Sequence, residues 1–166
     1  MRVAVTGTPG TGKTTATDLL DTDDVLHLNE VITEEGLTTG HDEERDSAIV
    51  DLDAVESYLS GRTDVVFESH LAHNLPADRV VVLRCHPETL EQRLADRESA
   101  ASVTENAESE ALDVILGEAV DRHGLDAVYE IETTDQSPEQ TAADIESVIA
   151  GTREPSAGTV SYTEYL

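Results

Sequence analysis

The stretch Gly7-Thr8-Pro9-Gly10-Thr11-Gly12-Lys13-Thr14-Thr15 decides the fold. It meets the pattern G-x-x-x-x-G-K-[ST] in full. An apolar run from Arg2 to Thr6, typical of a buried strand, precedes it, and a helical segment follows. In such loops the glycines let backbone N–H groups turn inward around phosphate oxygens, and the helix N-terminus adds a positive dipole end. The stretch therefore predicts a loop that binds the phosphates of a nucleoside triphosphate.

Three side chains of this loop have separate expected roles. Lys13 reaches the β- and γ-phosphates, Thr14 ligates Mg²⁺ and Thr15 contacts the α-phosphate. Lys13 is also the only lysine among the 10 basic residues, the rest being arginine. A compact ammonium on a flexible stem suits a group that must reach phosphate, so its retention here favours a phosphate-binding role.

Strands and helices alternate along the rest of the chain. Short apolar runs at about 25–28, 64–68, 79–84 and 127–131 indicate further buried strands. Uninterrupted apolar runs are typical of parallel strands that helices cover on both faces. The pattern predicts one domain over residues 1–166 with a three-layer α/β/α fold and a five-stranded parallel sheet.

The segments between these strands carry more local predictions. We expect helices over Lys13 to about Asp21, Asn29 (as N-cap) to Glu35, Asp51 to Leu59, Pro87 to Arg97, a long one ending near His123, and Pro138 to Ala150. Ser137 and Gln140 predict a capping box at the start of the last helix. Residues 36–47 are polar, and we expect them to be irregular, whereas residues 98–104 are small and polar.

An acid and a histidine follow the third predicted strand. Asp64-Val65-Val66-Phe67-Glu68 has the form of a Walker B strand, in which apolar residues lead to an acid. Glu68 would lie at the carboxyl edge of the sheet, where ligands bind in open α/β folds, and would hold Mg²⁺ or polarise water. His70 would position that water or a phosphate. The alternative is a solvated acid at a strand end and a histidine in a turn.

Two arginines are candidates for neutralising phosphate charge. Arg93 and Arg97 are four residues apart, so they share one face of the predicted helix. Phosphoryl transfer depends mostly on positioning and charge neutralisation, which arginine supplies. The small polar residues after Arg97 are typical of a lid over a nucleotide. Alternatively, both arginines pair at the surface with Glu91, Asp96 or Glu98.

Composition excludes several classes of protein. The 166 residues include 36 Asp and Glu, and the formal net charge is -26. Strong direct binding of nucleic acid is not expected, because such binding depends on Lys and Arg side chains that neutralise the backbone phosphates. The spread of acid along the chain favours a salt-adapted protein, and a membrane span or signal peptide is absent from the pattern, so we expect a cytoplasmic location. The lone Cys85 is expected to be a buried, inert thiol.

Taken together, these motifs resemble the archaeal adenylate kinases related to eukaryotic adenylate kinase isoenzyme six, a small-ribosomal-subunit assembly ATPase. The resemblance covers nearly the whole chain. Its residues are the loop already quoted, Glu34-Glu35 through Gly40-His41-Asp42-Glu43-Glu44, Glu68-Ser69-His70, and Val82-Leu83-Arg84-Cys85-His86-Pro87 leading to Arg93-Leu94-Ala95-Asp96-Arg97.

The resemblance implies a P-loop nucleoside monophosphate kinase fold and a broad-specificity kinase with ATPase activity. ATP and AMP, or another nucleoside monophosphate, would be the substrates, with Mg²⁺ between the phosphates. Implied too are a monophosphate-binding segment at about 29–52, a lid at about 96–106, and transient binding of a basic small-subunit ribosomal protein during late maturation of small-subunit (16S) ribosomal RNA. The implied ATP contacts are Gly10, Gly12, Lys13, Thr14, Thr15 and Arg97.

Two departures from the family pattern keep alternatives open. The family commonly has Asp where Glu68 stands, and related kinases often place an arginine near Thr33 to grip the acceptor phosphate. Here the only arginine of the monophosphate-binding segment is Arg45. A protein that acts mainly as an ATPase, with weak kinase activity, therefore remains an alternative, and so does a small-metabolite kinase of the shikimate kinase type.

Overall fold

The computed structural model describes residues 1–44 and 47–166. The strands are β1 (Arg2–Gly7), β2 (Val25–His27), β3 (Thr38–Asp42), β4 (Ser47–Val50), β5 (Val65–Glu68), β6 (Arg79–Arg84) and β7 (Val128–Glu132). The α-helices are α1 (Lys13–Thr17), α2 (Leu28–Glu35), α3 (Leu52–Leu59), α4 (Pro87–Leu94), α5 (Ala100–Ala111), α6 (Val114–His123) and α7 (Pro138–Ala150). Short 3-10 turns span Ala72–Asn74, Leu125–Ala127 and Thr163–Tyr165.

Five strands form the predicted parallel sheet, in the order β2-β5-β1-β6-β7. The strand that leads into the phosphate loop therefore lies at the centre of the sheet. The register sets His27 of β2 beside Glu68 of β5, and Glu68 beside Val5 of β1. The carboxyl ends of these three strands meet at one edge, which is where parallel sheets bind ligands.

Alternate residues of the central strands pack against helices on opposite faces of the sheet. Val3 and Val5 face a cluster that contains apolar residues of α1 and α7. Ala4 and Phe67 face the other cluster, with residues of α2, α3 and α6. Because both faces are covered, the strands are continuously apolar, and the chain has the predicted three-layer α/β/α architecture of a P-loop protein.

Three helix predictions were wrong in their extent, and one of them is the helix predicted from Pro87 to Arg97, which ends at Leu94. The helix after the loop ends at Thr17 and not near Asp21, and a hydroxyl bond from Thr17 to the Lys13 carbonyl (2.8 Å) accompanies that end. The long helix predicted to reach His123 is two helices, α5 and α6, because Asp113 adopts φ 55° between them. Its carboxylate accepts a hydrogen bond from buried Arg84 (2.6 Å).

Other local predictions had mixed outcomes. Asn29 does not cap α2, which begins at Leu28 after His27. Residues 36–47 are not irregular throughout, because β3 and β4 form an antiparallel hairpin. The predicted capping box at α7 is confirmed, with Ser137 and Gln140 bonding reciprocally. Across residues 1–44 and 47–166, no helix combines the length and apolar character needed to cross a membrane.

The C-terminal segment packs along the open edge of β7. Ser156 donates its backbone N–H to the Val128 carbonyl (3.0 Å), and Thr159 donates to the buried Glu130 carboxylate (2.8 Å). Tyr162 follows and is only 4% exposed. Its ring lies 5.3 Å from the Arg84 guanidinium, so the segment closes one end of the core.

Candidate functional site

Glycine is required at two points of the phosphate loop. Gly7 has φ 147°, and a Cβ there would lie 2.6 Å from the Leu83 carbonyl oxygen of β6. Gly10 has φ 92°, and a Cβ there would press on the Leu94 side chain at 3.1 Å. Both values lie in the region that L-residues rarely adopt. The loop can therefore bend tightly between β1 and α1 while α4 packs close behind it.

Lys13 is folded back onto its own loop. Its Nζ donates to the carbonyl oxygens of Gly7 (2.8 Å) and Thr8 (3.1 Å), and the residue is 9% exposed. Burial lowers the pKa of Lys13 to about 8, although the carboxylates of Glu68 and Glu110 act to raise it. The ammonium thus lies at the phosphate loop, and because burial lowers its pKa, it loses its proton in mildly alkaline solution.

Glu68 lies beside the loop threonine, as the sequence predicts. The Thr14 hydroxyl donates to Glu68 Oε1 at 3.0 Å, and the Glu68 side chain is 3% exposed. A hydroxyl and a carboxylate oxygen this close are the hard oxygen ligands that Mg²⁺ prefers. Within the described ranges no group of three or more His, Cys, Asp or Glu side chains could hold a metal ion. The Thr14 hydroxyl and the Glu68 carboxylate fit an ion that is held by few protein oxygens together with substrate phosphates.

Sequence reasoning missed His27, which joins two carboxylates at this site. Its Nδ1 lies 2.8 Å from Glu68 Oε1, and its Nε2 lies 2.8 Å from Asp18 Oδ1. Burial lowers the pKa of His27, but hydrogen bonds to these two carboxylates outweigh it and raise the pKa above its usual value. The available signal was its place at the end of a strand, because strand ends of a parallel sheet converge.

All the predicted site residues line one cavity of about 750 Å³. His70 is half-buried there, and burial, followed by the nearby Lys13 charge, lowers its pKa. The lowered pKa favours the neutral imidazole, which has one N–H donor and one acceptor nitrogen. The predicted residues brought together are Gly10, Gly12, Lys13, Thr14, Thr15, Glu68, His70 and Arg97.

The two arginines of the α4 region have different surroundings. Arg93 donates to the carbonyls of Gly10 (3.0 Å) and Thr133 (3.3 Å), so it braces the loop against the segment after β7. Arg97 lies just beyond α4, is exposed and lines the cavity. Surface pairing with Glu91, Asp96 or Glu98 is found for neither arginine among the ion pairs of the described residues.

The expected lid is mostly helical. Residues 96–99 form a short connection, and α5 begins at Ala100 with Ser99 as its N-cap. Glu98 lines the cavity and accepts bonds from Ser102 and Asn106, both at 2.8 Å. From the expected monophosphate-binding segment, Asn29 contributes to the cavity lining. Arg45 lies outside the described residues.

A buried ion cluster behind the loop was also missed. Arg84 is 0% exposed and bonds Glu130 (2.7 Å) and Asp113 (2.6 Å). Glu110 of α5 completes it, accepting from Arg84 Nε at 3.3 Å, from the Cys85 amide at 2.8 Å and from the Thr8 hydroxyl at 3.1 Å. The cluster thus connects α5 to the phosphate loop. Cys85 is fully buried, and burial raises the pKa of its thiol.

Comparison with known proteins agrees with this arrangement. A family model described as an AAA domain matches residues 3–113. A protein of Natronomonas pharaonis described as "Putative adenylate kinase" is 63% identical over 168 residues, with 100% of each chain covered. The chain belongs to the family of archaeal proteins that carry the description "Putative adenylate kinase".

Further members of the family carry the same description. One from Halobacterium salinarum is 63% identical over 169 residues, with 100% of both chains covered. One from Pyrococcus furiosus is 37% identical over 99% of this chain and 92% of its own length. Among solved structures, a sulfotransferase from Alicyclobacillus acidocaldarius has a TM-score of 0.49 and 14% identity, covering 98% of this chain and 86% of that one.

Proposed function

We propose that this protein is a broad-specificity nucleoside monophosphate kinase that transfers the γ-phosphate of ATP to AMP or another nucleoside monophosphate. The observation that carries the proposal is the single cavity in which Lys13, Thr14, Glu68, His70 and Arg97 converge on the phosphate loop. Relatives that match over their full length and are described as "Putative adenylate kinase" support the same reaction. The proposed domain is the whole chain, with a monophosphate-binding segment at about 29–52 and a lid at about 96–106.

In the proposed reaction the side chains bind and orient ATP and neutralise the charge on its phosphates. Lys13 leaves the carbonyls of Gly7 and Thr8 and donates to the β- and γ-phosphates. Arg97, which lines the same cavity, neutralises charge on the transferring phosphoryl group. Thr14 and Glu68 would hold Mg²⁺, which when bound offsets charge on the phosphate oxygens.

An ATPase is the second candidate function, and one observation favours it. Among the described residues of the 29–52 segment, which do not include Arg45, Asn29 alone lines the cavity, so these residues contribute no cation there to bind an acceptor phosphate. His70 is neutral and lies beside Glu68, where it could orient an attacking water. In that case kinase activity would be weak, and ATP hydrolysis would be the main reaction. Nothing comparable favours a small-metabolite kinase.

The two candidates separate in one assay. ADP formation is measured in about molar KCl, a salt that screens the acidic surface, with ATP alone and then with ATP and AMP. Strong stimulation by AMP supports the kinase, and equal rates support the ATPase. Lys13→Ala should lower either rate by about 100-fold or more, since it removes a charge that stabilises the transition state. Full activity in that variant would contradict both candidates.

We further propose that the protein acts in late maturation of the small ribosomal subunit, through transient binding of a basic small-subunit ribosomal protein. The net charge of -26 supports a basic partner. A pull-down with purified small-subunit ribosomal proteins, with and without ATP, tests this. Capture of one such protein that ATP hydrolysis releases is expected; failure to retain any of them contradicts the proposal without affecting the kinase assay.

A further inference from the structure

His27 is positioned unlike an ordinary helix-capping residue. It occupies the N-cap position of α2, yet its side chain makes no capping bond. A Ser, Thr, Asn or Asp at this position would stabilise the helix by about 1 kcal/mol. The imidazole instead points along the sheet edge to Glu68, its partner in the register between β2 and β5. A position that breaks a local rule in this way indicates a role at the site.

The contact with Glu68 leaves one carboxylate oxygen free. Oε1 of Glu68 accepts from both Thr14 Oγ1 (3.0 Å) and His27 Nδ1 (2.8 Å). Oε2 accepts no hydrogen bond from the described residues, although Glu68 lines the cavity. His27 is itself anchored at Nε2 by Asp18 at 2.8 Å. The hydrogen bonds that run from Asp18 through His27 to Glu68 therefore determine which carboxylate oxygen of Glu68 accepts hydrogen bonds and which one is left for a ligand.

We propose that His27 is a positioning residue for the magnesium site, which holds the Glu68 carboxylate in the orientation that ligation requires. The inference rests on the proposed function, since it concerns the ion that would accompany ATP. Hydrogen-bonded partners that orient a ligating carboxylate typically affect metal affinity by about 10- to 100-fold. A glutamate side chain has one more rotatable bond than an aspartate side chain, and such a partner would restrain it.

Two isosteric variants separate the two hydrogen bonds of the ring. The side-chain amide of His27→Asn can donate from about the place of Nδ1 and keeps the bond to Glu68. The longer amide of His27→Gln reaches the place of Nε2 and keeps the bond to Asp18 instead. Both variants remove the imidazole, so a difference between them reports the bond to Glu68. Asp18→Asn is a third variant, which changes an exposed residue and weakens only the outer anchor.

The measurement is ADP binding by calorimetry, in excess EDTA and in excess MgCl₂. We expect equal ADP affinity for all proteins in EDTA. The enhancement by Mg²⁺ should be nearly retained in His27→Asn, reduced about 10-fold in His27→Gln, and reduced less in Asp18→Asn. A purely structural role would weaken ADP binding equally in both conditions and would lower the thermal midpoint of all variants.

The outcomes distinguish this inference from the proposed function. If the natural protein binds ADP more tightly with Mg²⁺ and His27→Gln keeps the full enhancement, the positioning role is overturned while the nucleotide site stands. Equal losses in His27→Asn and His27→Gln also overturn it. If the natural protein shows no response to Mg²⁺, the proposed magnesium–nucleotide site fails, and the role of His27 fails with it.

Discussion

Lys13 is bound by its own loop before a nucleotide arrives, and burial lowers its pKa to about 8. The bound phosphates favour the charged ammonium, so the complex has a higher pKa than the free protein. Below pH 8 the lysine is charged in both states and binding is independent of its titration. Above pH 8 binding must take up a proton, and affinity falls as the pH rises.

We therefore expect the dissociation constant for ADP to rise about tenfold between pH 7 and pH 9, which follows from one proton taken up above a pKa of about 8. Calorimetry across this range measures it. Lys13→Arg is the control, because a guanidinium stays protonated and its profile should be flat. A flat profile in the natural protein would show that Lys13 keeps its proton throughout.

Arg84 provides a second prediction at the scale of one residue. It is fully buried among Glu110, Asp113 and Glu130. Arg84→Ala leaves buried carboxylates without a cation, so we expect a loss of about 3–5 kcal/mol in the free energy of unfolding. Urea denaturation at constant KCl measures it.

The matched control for that substitution is Arg153→Ala. Arg153 pairs with Asp144 at 3.1 Å, but both side chains are about one-third exposed. Water and salt screen such a pair, so the expected loss is below about 1 kcal/mol. Similar losses in the two variants would mean that the buried cluster contributes no more than a surface ion pair.

At the scale of elements, the C-terminal segment 152–166 covers the edge of β7 and holds Tyr162 over the Arg84 cluster. Tyr162→Ala should cost about 3–5 kcal/mol, the usual range for removing a buried aromatic ring. Tyr165 bonds Glu91 but is only half-buried, so Tyr165→Ala should cost below about 1 kcal/mol. The urea midpoints of the two variants measure these losses, and equal shifts in both variants would contradict the role assigned to Tyr162.

The sheet and the phosphate loop could be predicted because their signals are local. Five apolar runs marked the five parallel strands, and Gly7 to Thr14 carried a complete motif. The capping box at Ser137 is equally local. Each of these features depends on residues that are neighbours in sequence, so spacing and residue type sufficed.

Features that depend on distant contacts could not be predicted in the same way. The break at Asp113 is invisible to periodicity, because apolar residues continue at helical spacing on both sides of it, and its carboxylate bonds buried Arg84 of the distant strand β6. The hairpin of β3 and β4 is exposed on both faces, so it lacks the alternation that marks a half-buried strand. His27 joins the site only through the pairing of β2 with β5.

At the scale of the whole molecule, the net charge of -26 dominates. Repulsion between like charges weakens the compact state at low salt, and the screening length falls from about 10 Å at 0.1 M salt to about 3 Å at 1 M. We expect the thermal midpoint to rise steeply with KCl up to about molar concentration and then to level off. Melts over a KCl series measure this. A midpoint independent of KCl would contradict salt adaptation.

Because Lys13 is the only lysine of the sequence, the phosphate loop can be labelled selectively at its ε-amino group. Since the chain has no other ε-amino group, the amines that an acylating reagent can modify are Lys13 and the terminal amine of Met1, which is ion-paired with Asp64. A lowered pKa increases the reactive, uncharged fraction of Lys13 in mild alkali, while its burial slows the reagent's approach. A peptide mass spectrum would then report nucleotide occupancy at one atom, with no engineered label.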